Sequence, residues 1–227
     1  MIIASRKPFA EIKKSIELYE NILVVGCGTC VAVCLAGGKK EVGLLASQLR
    51  MSFALDKKKI QISEETLERQ CDHEFLETIR EPLKEFDCLL SLACGAGVQF
   101  LAETYPGKKV FPGVNTSFIG VAEAAGLWTE RCRACGDCLL AITGGICPRT
   151  LCVKGLNNGP CGGMIDGKCE VDPERPCAWV SIYERLAEEG RVNQIEIMFP
   201  PTDFRFQTKP GRVTHRAYLR RYNAGSK

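Results

Sequence analysis

The stretch "NILVVGCGTCVAVC", Asn21 to Cys34, decides the fold. Asn21 to Cys27 reads as a buried strand, because Ile22, Leu23, Val24 and Val25 form an unbroken apolar run that ends in glycine and cysteine. The turn after it begins like the G-x-G-x-x-G of a dinucleotide fold. Val31, however, stands where the third glycine belongs, and no acid follows at the right offset. Where such a turn could hold a phosphate, this one presents the thiols of Cys27, Cys30 and Cys34.

Working outward, helix and strand patterns alternate. Pro8 to Tyr19 reads as a helix, with Pro8 suited to the first position and Phe9, Ile12, Ile16 and Tyr19 on one face. Lys39 to Met51 reads as another, with Val42, Leu45, Ala46 and Leu49 at helical spacing. A weaker strand is expected between Lys59 and Gln70. A helix is expected over Asp72 to Phe86, carrying Phe75, Ile79 and Leu83, with Pro82 bending its end. "DCLLSLAC" (Asp87 to Cys94) reads as a strand, Val98 to Tyr105 as a short helix and "KKVFPGV" as a further strand. This alternation predicts an α/β fold, an open parallel sheet with flanking helices.

Beyond it the pattern changes. From Arg131 to Asp172 the periodicity vanishes and Gly, Cys and Asn dominate, so something other than apolar packing must organise the segment. "CAWVSIYERLAEEG" closes it with a helix that places Ala178, Ile182 and Leu186 on one face. After Phe199 the chain turns Pro-rich and basic. The expected organisation is an α/β cluster-binding domain over 1–128, an irregular ferredoxin-like Cys/Gly-rich domain over 129–198 ending in that helix, and a basic tail over 199–227. In the tail, from Lys209 on, Arg212, Arg216, Arg220 and Arg221 interleave with Tyr218 and Tyr222. It reads equally as a solvated terminus or as an arm laid on a partner.

Composition narrows the function. The chain has 227 residues, 45% of them hydrophobic and 25% charged, enough to bury a core without staples. A net charge of +3 gives no reason to expect a nucleic-acid partner. The N-terminus has no apolar signal region, and the longest apolar run, Ile22 to Ala36, is too short and too rich in thiols to span a membrane. A cytoplasmic location is expected. In that compartment 14 cysteines mean metal binding or redox chemistry rather than disulfides.

The cysteines fall into two groups. Cys27, Cys30, Cys34, Cys71 and Cys94 follow three expected strands, and open parallel sheets bind ligands beyond the carboxyl ends of their strands. Four of the five suffice for a cubane iron–sulfur cluster or a tetrahedral zinc, and one is spare. Cys88 lies inside a strand and reads as a small buried hydrophobe. The second group is Cys132, Cys135, Cys138, Cys147, Cys152, Cys161, Cys169 and Cys177, enough for two sites. The C-x2-C-x2-C triplet begins like a bacterial ferredoxin, and Cys147-Pro148 fits that pattern apart from a longer spacing. One partition gives Cys132, Cys135, Cys138 and Cys177 to one site, and Cys147, Cys152, Cys161 and Cys169 to the other. Two or three [4Fe–4S] clusters are expected, with zinc at one site as the alternative. His73 and His215, the only histidines, read as surface residues. No acid–base or nucleophilic constellation stands out, so no catalytic side chain is expected.

In order along the chain stand "VVGCGTCVAVCLAGGKKEV", "RQCDHEF", "LACGAGVQ", "CRACGDC", "GGICPRTLCVKGLNNGPCGG", "GKCEVDPERPCAW" and "IYERL". Together they resemble the methylenetetrahydrofolate reductase C-terminal family, over nearly the whole length from Ile22 to Phe199. Standing alone, the chain is similar to that family's MetV-type small subunits of acetogenic bacteria. The resemblance implies an iron–sulfur subunit, with zinc also reported. It implies a MetF-type partner, a TIM barrel that holds the flavin and binds the folate, and room for a larger electron-transfer assembly. It implies electron relay between an external donor and that flavin, for reduction of methylene- to methyl-tetrahydrofolate in the Wood–Ljungdahl pathway. No flavin is expected on this chain, and activity is expected only with the partner. The rival reading is a zinc-organised adaptor that holds a catalytic partner in a larger complex.

Overall fold

A computed structural model describes residues 1–208 and 210–218. The chain divides into two compact units, the first Met1–Glu130 and the second beginning at Arg131.

The first unit runs β1 (Ile2–Arg6), α1 (Phe9–Ile16), β2 (Asn21–Cys27), the single-turn α2 (Cys30–Val33) and the long α3 (Lys39–Leu55). It continues through β3 (Gln61–Leu67), α4 (His73–Glu77), β4 (Cys88–Ser91), α5 (Gly95–Thr104) and β5 (Lys109–Pro112). Then come β6 (Val114–Ala124) and β7 (Leu127–Cys132). The main sheet has the order β3-β2-β4-β5, and every neighbouring pair in it is parallel. The expected α/β architecture is present, with helices on both sides.

Alternation along the strands builds two cores. Ile22 and Val24 of β2 pack with Ile12 and Ile16 of α1 and with Val42, Leu45 and Leu49 of α3. Leu23 and Val25 face the other way and pack with Leu76, Ile79, Leu83 and Leu101. A strand buried on both faces needs an unbroken apolar run, which is why β2 is so plain in the sequence. At the opposite end from the cysteines, Asp87 ties β2 to β4. Its Oδ2 accepts hydrogen bonds from the backbone N–H groups of Glu20 (3.2 Å) and Asn21 (2.8 Å).

Three features differ from the sequence reading. The segment Asp72 to Phe86 is not one helix: α4 stops at Glu77, and a 3-10 turn spans Pro82–Glu85. Pro82 has no N–H to continue an α-helical ladder and starts the tighter turn instead. Ile79 and Leu83 are buried regardless, so the apolar spacing was informative although the helix is broken. Second, β4 ends at Ser91 and Cys94 lies beyond it, as the residue that precedes α5. Third, β1, β6 and β7 form a separate three-stranded sheet, β1 pairing antiparallel with β6. Most residues of β6 are exposed or half-buried, with only Val114 and Gly120 buried, so it lacks the alternation that would announce a strand.

The second unit has little regular structure. It contains α6 (Pro148–Leu151), α7 (Ala178–Glu188) and α8 (Arg205–Thr208), joined by turns. Its core is small: Trp179, Ile182 and Leu186 of α7, with Ile146, Cys152, Cys177 and Ile195 packed around them. The indole N–H of Trp179 donates to the Leu156 carbonyl at 3.0 Å and so pins α7 to the loop. Of the basic tail, Lys209, Arg220, Arg221 and Tyr222 lie outside the described residues. No described helix is long and apolar enough to cross a membrane.

Candidate functional site

In the parallel sheet β2 lies between β3 and β4. The chain leaves β2 toward one edge and later returns on its other side, a reversal that opens a crevice at the carboxyl ends of the strands. Cys27 ends β2, Cys30 opens α2, Cys71 follows β3 and Cys94 follows β4. The thiols of Cys27, Cys30 and Cys94 lie near enough to Cys71 to act on it electrostatically. Partial burial, then the charges of Cys27, Cys94 and Cys30, push the Cys71 thiol above its ordinary value. Negative charge on those neighbours disfavours the thiolate of Cys71, and a bound cation would relieve that repulsion. Cys94 also stands at the N-terminus of α5, where the helix dipole favours negative charge.

The fifth cysteine is accounted for separately. Cys34 is buried and its Sγ accepts from the Ala4 N–H of β1 at 3.4 Å, with the carbonyls of Ala4 and Val31 each 3.6 Å away. It is packed into the core of the first unit. Cys88 is fully buried, and burial, followed by the neighbouring Asp87, pushes its thiol up to about 12. It is an inert core residue.

One residue that the sequence reading passed over holds the crevice together. Gln70, fully buried, donates from Nε2 to the carbonyls of Val25 and Gly26, both at 2.9 Å. Its Oε1 accepts from the Ser91 hydroxyl at 2.6 Å, and that hydroxyl accepts from the Ala93 N–H at 3.2 Å. The network thus joins the backbone just before Cys27, Cys71 and Cys94. Gly37 completes the wall: its carbonyl accepts from the Cys27 N–H at 2.9 Å, and a Cβ there would stand 1.9 Å from the Leu92 carbonyl oxygen. Only glycine fits.

In the second unit, Cys152, Cys161, Cys169 and Cys177 line one small cleft, partly open to solvent. The cleft groups Cys177 with Cys152, Cys161 and Cys169, an alternative to the partition that spacing suggests. The reason is local pairing. The N–H groups of Cys169 and Cys177 bond the carbonyls of Arg175 and Gly167, each at under 3 Å (2.9 and 2.8 Å), folding the loop back on itself. Cys132, Cys135, Cys138 and Cys147 remain as the other set. Cys177 stands at the N-terminus of α7, as Cys94 does at that of α5.

Several of these sulfurs accept hydrogen bonds from the backbone. The Ala134 N–H points to Cys132 Sγ at 3.3 Å, and the Gly163 N–H to Cys161 Sγ at 3.5 Å. Gly162, between Cys161 and Gly163, has a φ of 79°, which a side-chain-bearing residue would adopt only under strain. The Gly163 N–H, then Lys154, hold the Cys161 thiol below its ordinary value. For Cys135 burial works upward, but hydrogen bonds from the Asp137 backbone and from Arg149 outweigh it, and the thiol lies below its ordinary value. Such N–H···S bonds stabilise thiolate, the form that ligates metal. Among the described residues no three of His, Cys, Asp and Glu close on a single point as ligands of one metal ion. His73 pairs with Glu77 at 3.3 Å, and His215 Nδ1 accepts from the Ala217 N–H.

Compared with protein-family models, residues 111–205 match the family described as methylene-tetrahydrofolate reductase C terminal. The match relates that part of the chain to methylenetetrahydrofolate reductases, and it contains every cysteine of the second group. No curated protein and no solved structure matches the chain.

Proposed function

We propose that this chain is the iron–sulfur electron-transfer subunit of a methylenetetrahydrofolate reductase. In this reading it is the MetV-type subunit, relaying electrons between an external donor and the flavin of a MetF-type catalytic partner. The observation that carries the reading is that Cys27, Cys30, Cys71 and Cys94 all stand at or just beyond the carboxyl ends of the parallel strands. The family match over residues 111–205 supplies the enzyme to which the relay would belong.

The donor chemistry, sets of four thiols, is of the kind the implied groups need. Cys27, Cys30, Cys71 and Cys94 would hold one cluster. Cys132, Cys135, Cys138 and Cys147 would hold a second, and Cys152, Cys161, Cys169 and Cys177 a third centre, iron–sulfur or zinc. A bound [4Fe–4S] cluster supplies one-electron transfer at a potential set by charge, hydrogen bonding and exposure. The chain's own part is to donate N–H groups to the sulfurs of the second unit and to hold the loops of the first site in place through Gln70 and Ser91. Hydride transfer to a folate needs a two-electron carrier, and that belongs to the partner.

The test is reconstitution under strict anaerobiosis. The isolated chain, reduced by a low-potential donor, should pass electrons to the flavin of an added MetF-type subunit. It should reduce no methylene-tetrahydrofolate on its own. Stoichiometric flavin on the isolated chain, or folate turnover without the partner, would overturn the proposal.

A further inference from the structure

Arg149 is the one buried charged side chain among the described residues, with 8% of its side chain exposed. It lies in the first turn of α6, two residues after Cys147. Every contact of its guanidinium is made within the second unit. Nη1 donates to Cys135 Sγ at 3.2 Å and to the Asp137 carbonyl at 2.6 Å, Nη2 donates to Asp137 Oδ2 at 2.8 Å, and Nε donates to Asn157 Oδ1 at 3.3 Å.

A buried cation is costly unless its donors find strong acceptors. Asp137 and Asn157 supply those acceptors, and they fix the guanidinium with Nη1 3.2 Å from the Cys135 sulfur. We infer that Arg149 raises the reduction potential of the metal centre to which Cys135 belongs. The inference rests on the proposed function, since it needs a redox centre on that sulfur.

The physical argument is one of charge. Taking up one electron adds one negative charge to the centre and its ligands. A positive charge fixed beside a ligand sulfur stabilises the reduced state more than the oxidised one, so reduction becomes easier. Arg cannot lose its proton in a protein, so this bias is constant with pH. Asp137 opposes it, but the carboxylate is 64% exposed and screened by water, whereas the guanidinium is not. A purely mechanical role is the competitor: Arg149 also clamps the Cys135–Cys138 loop to α6. The two roles separate on potential, which a clamp does not set through charge.

The experiment uses the full chain, purified anaerobically. Iron and acid-labile sulfide are measured first, then the centres are titrated against potential and followed by EPR. In Arg149→Met, one centre should show an about tenfold lower ratio of reduced to oxidised form at a given potential, equal to about 59 mV for a one-electron couple. The other centres should not move. Arg149→Lys should recover part of the shift, and Asp137→Asn should shift the same centre the opposite way. Wild-type potentials in all three variants, with iron and sulfide retained, would leave Arg149 a clamp and overturn the inference while the proposed function stands. If Arg149→Met loses its iron, Arg149→Lys and Asp137→Asn decide, and unshifted potentials in both overturn it. A wild-type chain without iron and sulfide would overturn the proposed function together with the inference.

Discussion

The two units present thiols in opposite ways. In the first, Cys27, Cys30, Cys71 and Cys94 ride on a sheet with a core on each face, and the buried Gln70–Ser91 network sets three of their loops before any ligand arrives. In the second, one helix carries the small core, and the cysteine loops are shaped by left-handed glycines such as Gly136 and Gly162. The difference teaches what a bound metal would contribute to each. In the first unit it would bind between loops that apolar packing and the Gln70–Ser91 network have already set. In the second it supplies folding energy that apolar packing does not.

Metal removal sharpens this contrast most. Stripping the anaerobically purified chain with a chelator and following amide hydrogen exchange should abolish protection across Cys132 to Cys177 and in α7. Protection in β2 and β4 should survive. Equal loss in both units, or in neither, would break the comparison.

Single cysteine changes come next. Cys71→Ala should remove one centre's metal from the first unit, whereas Cys34→Ala should leave metal content unchanged, because the Cys34 thiol is committed to the core beside Ala4. Metal loss in Cys34→Ala equal to that in Cys71→Ala would show that the spare cysteine has been wrongly chosen. Gln70→Leu is a gentler probe. It leaves the Ser91 hydroxyl and two backbone carbonyls short of a buried partner, at a cost of about 1–3 kcal/mol in denaturant unfolding. It should also speed metal loss from the first unit while the second unit's centres stay as they were.

The smallest effect lies at the far end of the sheet. Hydrogen bonding, foremost from the Asn21 N–H, holds the Asp87 carboxyl below its ordinary value against an opposing effect of burial. A group with a depressed folded-state pKa gives stability that is fully present above the unfolded value and is lost as pH falls through the folded one. The Asp87 contribution should therefore fade only below about pH 4. Asp87→Asn should flatten that acid limb for the first unit, seen by pH-dependent unfolding, and leave the second unit's limb alone.

Most of the parallel sheet was legible because β2, α1 and α3 bury faces whose periods are written in apolar residues. β1, β6 and β7 were not, since a half-exposed sheet with small and polar residues such as Asn115, Thr116 and Ser117 carries no alternation. Pro82 was visible, but propensity alone does not say whether a proline bends a helix or ends it. The candidate ligands were legible as cysteines, and their grouping was not. Spacing cannot show that Cys177 folds back toward Cys161, or that Cys34 turns inward to β1. Gln70 and Arg149 were hidden for a related reason. Gln70 adjoins Cys71 and Arg149 follows Cys147 by two residues with no motif to mark either, and their burial and partners exist only once the loops have folded.

The central claim is that these thiols hold redox-active iron. Its most direct test is to quantify iron, acid-labile sulfide and zinc on the anaerobically purified chain. The account predicts iron and sulfide in equal amounts, about eight to twelve of each per chain for two or three [4Fe–4S] clusters. At most one zinc should accompany them. Zinc alone, with neither iron nor sulfide, would contradict it and leave a zinc-organised adaptor in its place.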